Sequence, residues 1–404
     1  MLNKRIVSFS LALSLIFLCS FSLAETTLPE IVQRNEDVLD AVYASCRYGI
    51  NAKGVANYSK GLSILVTTDV HSAWPRLNAA IDYLNTIPSL DGGCCLGDII
   101  KGDSFYEDSE PYNTAVAACN KPWFTVIGNH DTGLSADPEL SGTTEQVVEK
   151  FITPNEGKAG QEGLSVPYYY YDWDAYKIRM IVLYNYESPL RQKDGKYIFK
   201  RGIDCYDQVQ IDWLIETLNN TPAEYAVVIL QHAQPEASIP IYNNFTQPYA
   251  SHSGCDSGGY NGASIKGDIV NAWIHGKALT KTYQPEARFG GILPEIKVNA
   301  DFTSRGKGEF ICYLVGHVHY DVVSQLQEHP EQITISFVAT AAGNWQNAGA
   351  DLPRVQGDRS EDAITVVSFD RNNKVINLVR IGSTKTVYMI DRTMTSIPYT
   401  SYAW

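Results

Sequence analysis

The chain contains no Cys-x-x-C pair, which argues against a zinc ribbon or a thioredoxin-like redox centre among its eight cysteines. It has no low-complexity tract, no internal repeat and no linker of the kind that separates domains. Disordered and solenoid chains are therefore poor readings. Basic charge is scarce as well: 32 Lys and Arg face 45 Asp and Glu, a net charge of −13. Such a surface repels polyanions, so long nucleic acid is not an expected partner or substrate. Beyond the N-terminus no apolar run reaches the roughly 20 residues that a membrane-spanning helix needs.

What is present is a globular composition over 404 residues, 44% hydrophobic and 19% charged. A chain of this size builds its core without metal or disulfide staples, so any metal is expected to be catalytic. Lys4 and Arg5, the apolar run Ile6 to Leu18, and the small residues Ser22 and Ala24 read as a secretory signal over residues 1–24. This predicts a secreted or periplasmic protein with no stable membrane span after removal of the signal; an uncleaved anchor is the alternative. Cleavage before Glu25 removes two basic residues and no acid, moving the net charge from −13 to −15. It also removes Cys19 and leaves seven cysteines, an odd number. Cys94, Cys95 and Cys312 lie in apolar stretches and read as buried thiols. Cys46, Cys119, Cys205 and Cys255 are the ones open to disulfide pairing in an oxidising compartment.

Periodicity predicts alternating strands and helices. Leu62 to Val66 reads as a buried strand, Pro75 to Leu84 as a helix, and the run ending at Leu96 as a second strand. Thr114 to Cys119 follows as a helix and Trp123 to Ile127 as a third strand. Ser165 to Trp173 and Ile178 to Tyr184 read as paired strands, with the Tyr168–Tyr171 run packed on a core face rather than stacking a ligand. Asp207 to Leu218 fits a helix and Ala226 to Leu230 a strand. From about residue 235 to 308 patterning fades into Gly, Ser, Asn and Pro, with only Asp268 to Ala278 helical. Phe310 to Val315, Ile333 to Ala339, Ala363 to Phe369 and Val375 to Ile381 then read as strands, the last of them a β meander. The class is α/β.

The chemistry lies in five polar blocks, each just after an apolar run. They are Asp69-Val70-His71, Gly97-Asp98, Gly128-Asn129-His130-Asp131, Gln231-His232 and Gly316-His317-Val318-His319. Five of the eight histidines sit in them. Open α/β sheets gather their sites beyond the carboxyl ends of strands, where these blocks fall. Asp69 and His71, two apart, can turn a carboxylate and an imidazole the same way, a half-shell for Mn, Fe, Zn or Ni. Asp98 carries two oxygens and can bridge two ions. Asn129 offers a neutral carbonyl, and His232, His317 and His319 supply the remaining nitrogens. Asp-x-His or Gly-Asp alone is commonplace; Gly-Asn-His-Asp and Gly-His-x-His in this order are not.

Together these blocks resemble the motif set of the calcineurin-like metallophosphoesterases, over about Leu62 to Ile381. The resemblance implies a four-layer α/β/β/α sandwich, two facing sheets with helices outside, forming a single domain over 25–404. Its core would run over about 61–385, with a loop-rich insertion at about 235–308 between the fourth and fifth metal motifs. It implies that Asp69, His71 and His319 bind one ion, that Asn129, His232 and His317 bind a second, and that Asp98 bridges both. His130 would stand beside the leaving group, with Asp131 orienting its imidazole. The implied reaction is attack of a metal-bridging hydroxide on a small phosphate ester, with Mn, Fe or Zn as the ions. The chain departs from the pattern after Gly97-Asp98. There Ile99-Ile100-Lys101-Gly102 stands where members often carry Asp, Asn or Tyr, and the lack of Tyr at Lys101 speaks against the purple acid phosphatases. Little sequence follows His319, so the carboxyl-terminal domain of bacterial 5′-nucleotidases is not expected.

The favoured expectation is an exported, dinuclear, metal-dependent phosphoric ester hydrolase, a phosphatase or a phosphodiesterase. The runner-up is a nucleotide or phospholipid-headgroup phosphodiesterase. An alternative of another class is a metal-containing surface protein that binds glycans through Tyr-rich loops without turnover. His252, His275 and His329 are read as ordinary structural or surface histidines.

Overall fold

The structure is a computed structural model. It describes residues 28–46, 61–133, 140–186, 192–193, 196–197, 205–235, 238–240, 264–287, 293–319, 321–341, 354–355, 357–382 and 395–399. The expected leader over 1–24, Cys19, His252 and Cys255 lie outside the described residues.

Two mixed sheets face each other. The first has six strands, in spatial order Thr395–Pro398, Val375–Gly382, Ala363–Asp370, Leu62–Thr67, Gly92–Leu96 and Trp123–Val126. The second has seven, in the order Tyr169–Trp173, Ile178–Val182, Ala226–Leu230, Glu309–Val315, Ile333–Ser336, Val322–Leu326 and Ser238–Pro240. Leu62–Thr67 is central and buried throughout, as its mostly apolar Leu-Ser-Ile-Leu-Val run requires of a strand covered on both faces. In the second sheet the two-residue period divides the side chains. Met180, Val182, Val228, Leu230, Cys312 and Leu314 join the core shared with the first sheet. Ile181, Val227, Ile229, Tyr313 and Val315 turn into a second core with the helices Gln208–Asn219 and Ile265–His275. On the first sheet lie Leu39–Ser45 and Trp74–Thr86. The result is the four-layer α/β/β/α sandwich expected.

Local sequence explains the helices. Trp74–Thr86 has a proline in its first turn and buries Leu77, Ala80, Ile81 and Leu84. Ile87, held extended by the following Pro88, ends it. Gln208–Asn219 is capped by the Asp207 carboxylate on the Gln210 amide. The Gln210 side chain in turn bonds both the amide and the carbonyl of Tyr184, 2.9 Å each.

Several expectations need amendment. The described part of 235–308 holds a helix, Ile265–His275, and a hairpin, Ala278–Tyr283 with Ile296–Asp301. Trp273 donates its indole N–H to the Leu218 carbonyl at 2.9 Å, so this helix is packed on the second sheet's helical side. In the hairpin, buried Ile296, Val298 and Ala300 alternate with exposed Lys297, Asn299 and Asp301, the period of a half-buried strand. The carboxyl-terminal strands do not form one meander. Ile333–Ser336 belongs to the second sheet, parallel to Glu309–Val315 and antiparallel to Val322–Leu326. Only Ala363–Asp370, Val375–Gly382 and Thr395–Pro398 continue as an antiparallel meander in the first. A short apolar run does not encode which sheet it joins.

Cys94, Cys95 and Cys312 are buried thiols as expected; Cys46 and Cys119 are buried and free as well, and Cys205 is buried. Tyr168 and Tyr169 are buried and Tyr171 packs on the core, while Tyr170 is exposed beneath the Arg179 guanidinium. Among the described residues no helix is long and apolar enough to cross a membrane.

Candidate metal centre

Parallel strands of both sheets end at one edge. Leu62–Thr67, Gly92–Leu96 and Trp123–Val126 deliver the blocks at 69–71, 97–98 and 128–131; Ala226–Leu230 and Glu309–Val315 deliver His232 and 316–319. The loops continue the sheet pairing beyond the strands. The Asp69 amide donates to the Gly97 carbonyl, the His71 amide to the Asp98 carbonyl and the Gly316 amide to the His232 carbonyl, each at 2.9 Å. Backbone bonds thus fix where each side chain starts.

Six of the nine non-glycine residues with positive φ among the described residues are Asp69, His71, Ser72, Asp98, His317 and His319. Left-handed backbone costs a side-chain-bearing residue about 1–2 kcal/mol. Its concentration on these residues marks a site whose geometry is imposed by its surroundings. Gly128 is required for a different reason: a Cβ there would overlap the Asp98 carboxylate and amide.

The ligand-type atoms converge in two groups. Asp69, His71, Asp98 and His319 place one ligand atom each within 4.8 Å of one another, and so do Asp98, His232 and His317. Asp98 is common to both. His71 Nε2 lies 3.3 Å from His319 Nε2, and His232 Nε2 lies 3.2 Å from His317 Nδ1. His319 Nε2 is 3.0 Å from Asp69 Oδ1, and His232 Nε2 is 3.2 Å from Asp98 Oδ1. All of these side chains are buried. Asn129, the remaining expected ligand, is buried between Gly128 and His130, both of which abut Asp98.

These residues fit divalent cations. Asp69 Oδ1, Asp98 Oδ2 and Asn129 Oδ1 are enclosed and accept no hydrogen bond, whereas most buried polar atoms find a partner. Ring nitrogens facing one another at 3.2–3.3 Å need a proton or a cation between them. The mixed oxygen and imidazole set suits Mn, Fe or Zn. The other oxygens are tied back. Thr68 Oγ1 donates to Asp69 Oδ2 at 2.7 Å and the His317 amide donates to the same oxygen at 3.1 Å. The His130 amide donates to Asp98 Oδ1 at 2.9 Å. His232 Nδ1 donates to the Leu96 carbonyl at 2.6 Å, which leaves Nε2 with a lone pair in the neutral ring.

The electrostatics of the protein groups alone are those of a ligand set. Burial would raise the Asp69 carboxyl, but the charge and close approach of His319 hold it at about 2. Burial likewise opposes ionisation of Asp98, and His130 and His232 hold it well below the usual range. Burial lowers His71 to about 4 and His317 to about 3, so both are neutral at pH 7. His232 resists the lowering effect of burial because Asp98 faces it, and stands at about 9. A cation arriving there displaces a proton.

Asp131 is placed differently from expectation. The His130 ring is only partly buried; its Nε2 faces Asp98 Oδ2 at 3.6 Å and its Nδ1 bonds the Lys101 carbonyl. Asp131 does not orient that ring. It is fully buried, and its oxygens accept the amides of Ile99 and Gly128 at 2.8 Å and of Ile100 at 3.1 Å. The physical reason is that successive residues of the 3-10 turn His130–Thr132 are rotated by about a third of a turn and point apart, His130 outward and Asp131 into the loop after Gly97-Asp98. Burial and the nearby Asp98 raise the Asp131 carboxyl to about 7.

Residues that sequence reasoning missed support the ligands from behind. Thr68 holds Asp69. Asn185 Oδ1 accepts the His232 amide at 3.1 Å, and Asn185 Nδ2 donates to the Tyr206 hydroxyl at 3.1 Å. Thr68 had a signal, adjacency to Asp69; Asn185 lies 47 residues from His232 with none. His329, read as a turn residue, bonds Asp268 at 2.8 Å, and His275 bonds the Asn271 carbonyl at 2.9 Å.

Comparison with known proteins gives one family match, to the calcineurin-like phosphoesterases over residues 62–321. No curated protein matches significantly. Similar solved structures include a conserved uncharacterised protein of Streptococcus pneumoniae, described as a predicted phosphoesterase. It has 8% identity, a TM-score of 0.29, and coverage of 83% of this chain and 97% of that one. A protein of Thermus thermophilus has 10% identity and a TM-score of 0.34, covering 84% of this chain and 99% of that one. With more than half its length matched by the family and its ligand-type residues gathered at one sheet edge, the chain belongs to the calcineurin-like phosphoesterases, as a metal-dependent phosphoric ester hydrolase.

Proposed function

We propose that this chain hydrolyses small phosphate esters at a dinuclear centre. In this reading Asp69, His71 and His319 hold one ion, Asn129, His232 and His317 hold the other, and Asp98 bridges them. The observation that carries it is the shared Asp98: it belongs to both ligand groups, with Oδ2 enclosed and accepting no hydrogen bond. When bound, divalent ions supply Lewis acidity at phosphoryl oxygens and make water nucleophilic near neutral pH.

The protein's own residues do the rest. His130 is the least buried ring of the cluster, so it is the one placed to meet a substrate arriving from solvent. With Nδ1 committed to the Lys101 carbonyl, its Nε2 is free to bond a phosphoryl oxygen and to hand a proton to the departing oxygen. Asp131 holds the backbone of the Asp98 loop, and so the position of the bridging carboxylate, rather than touching the substrate. The enclosed ligands favour the small end of an ester over a flat polyanion. Residues 1–24 are read as an export leader and 25–404 as one domain, on the strength of the basic start and apolar run.

The test is turnover of metal-free protein reconstituted with Mn, Zn, Fe or Ca in turn, on p-nitrophenyl phosphate and its bis-ester. Asp98→Ala should lower both metal content and rate, the rate by about 100-fold or more. His130→Ala should leave metal content unchanged and lower the rate only severalfold on these aryl esters, where its bond to a phosphoryl oxygen is what is lost, but by about 100-fold or more on an alkyl ester, whose leaving oxygen needs the proton. Undiminished rates in both variants would overturn the proposal.

A further inference from the structure

We infer that Glu107 is a positioning residue for the proton donor His130, acting through one peptide group. The inference rests on the reading of His130 as the group that protonates the leaving oxygen. The Lys101 carbonyl that bonds His130 Nδ1 and the Gly102 N–H belong to the same planar peptide and point in opposite directions. That Gly102 N–H donates to Glu107 Oε2 at 3.0 Å. The other carboxylate oxygen, Oε1, accepts the Ser72 hydroxyl, and Ser72 Oγ accepts the Lys101 amide at 3.3 Å. Both peptides that flank the Lys101 α-carbon are therefore tied, directly or through Ser72, to one carboxylate.

Without that tie the carbonyl is not fixed. Gly102 has φ +80°, and glycine carries no steric barrier to a flip of the peptide before it. A flip would turn the carbonyl away from His130 and present an N–H to Nδ1 instead. The Glu107 carboxylate opposes this with two hydrogen bonds to an ionised acceptor, the stronger kind. Its charge also polarises the peptide, which strengthens the bond from the carbonyl to the ring. Glu107 is itself anchored: Lys150 Nζ donates to the Glu107 carbonyl at 2.6 Å and to that of Phe105. The consequence for chemistry is specific. His130 keeps its Nδ1 proton on a neutral carbonyl, so Nε2 is always the atom that faces the ligand cluster.

The experiment compares Glu107→Ala, and Glu107→Gln in case the alanine disorders the loop, with wild type. Each is assayed on an aryl and an alkyl ester of whichever class, mono- or diester, the wild type turns over. A leaving group as good as p-nitrophenolate needs little protonation, whereas an alkoxide needs it fully. The expected result is a kcat about tenfold lower on the alkyl ester and within about twofold on the aryl ester, with KM and metal content unchanged. In a His130→Ala background the same Glu107 change should have no further effect on either ester. Equal losses on both esters, or losses that add to those of His130→Ala, would overturn the inference. No turnover by the metal-replete wild type would instead overturn the proposed function.

Discussion

Replacing Thr68 by valine removes one hydroxyl at nearly constant volume, and so isolates a single bond behind the metal centre. Thr68 Oγ1 donates to Asp69 Oδ2 at 2.7 Å, and both residues are fully enclosed. That oxygen has one further donor, the His317 amide at 3.1 Å. The hydroxyl's other neighbour, the Leu96 carbonyl at 3.5 Å, is at the edge of bonding distance and adds little. A hydrogen bond to an ionised acceptor contributes about 1.5–3 kcal/mol. Groups that orient metal ligands typically carry about 10–100-fold in affinity. The two scales agree, since about 1.4 kcal/mol is a factor of ten. Thr68→Val should therefore weaken cation binding at the Asp69 group by about 10–100-fold, measured by competition with a chromophoric chelator. Thr68→Ser, which keeps the hydroxyl, should restore it. At saturating cation kcat should change by less than about threefold, because the leaving-group side at His130 is untouched. Affinity within about twofold of wild type would refute the claim that Thr68 holds Asp69 in its liganding position.

Three further outcomes follow from the same geometry. Gly128→Ala forces a Cβ into the Asp98 carboxylate; overpacking of about 1–3 kcal/mol should appear in urea unfolding, together with loss of metal content. Adding Mn or Zn at about 100 times the dissociation constant should stabilise metal-stripped protein by about 2.7 kcal/mol, read as a rise in thermal midpoint that Asp98→Ala abolishes. Asp268→Asn should show a pH-dependent loss away from the centre. Burial would raise the Asp268 carboxyl, yet His329, Lys281 and Tyr283 hold it at about 2 against the ordinary 3.8. A depressed carboxyl stabilises the fold above about 3.8 and loses that contribution as pH falls through about 2. The expected cost, discounted for partial exposure, is about 1–2 kcal/mol at pH 7 and shrinks as the pH is lowered from about 4 to about 2; a cost independent of pH would refute it.

How much of this was legible follows from chain distance. Asp69 and His71, or His317 and His319, lie two residues apart, each pair at the end of an apolar run, so a local pattern announces them. The strands beneath are legible for the same reason: Leu62–Thr67 and Ala226–Leu230 are buried along their full length and read as mostly apolar runs. The supporting groups come from far away and are ordinary residues. Glu107 lies 35 residues from Ser72, and Asn185 lies 47 from His232. No spacing rule links them, because the contacts arise only once two sheets have brought their edges together. Val322–Leu326 is not legible as a strand because Ser324 and Gln325 interrupt its apolar character, although its neighbour Ile333–Ser336 pairs with it in full.

Asp131 shows why a motif is a weaker guide than it looks. Four consecutive residues, Gly128 to Asp131, read as one functional word, and adjacency suggests that the aspartate serves the histidine. The fold assigns each of the four a different direction. Gly128 leaves room for Asp98, Asn129 turns an enclosed oxygen inward, His130 reaches the surface, and Asp131 points beneath the neighbouring loop to gather three amides. The acceptor that His130 needs is supplied instead by the Lys101 carbonyl. A backbone carbonyl makes the side chain at that position irrelevant to the bond, so the orientation of the ring does not depend on what residue 101 carries. The orientation of the ring rests on a peptide plane rather than on a neighbouring side chain, and so on whatever fixes that plane, namely Ser72 and Glu107.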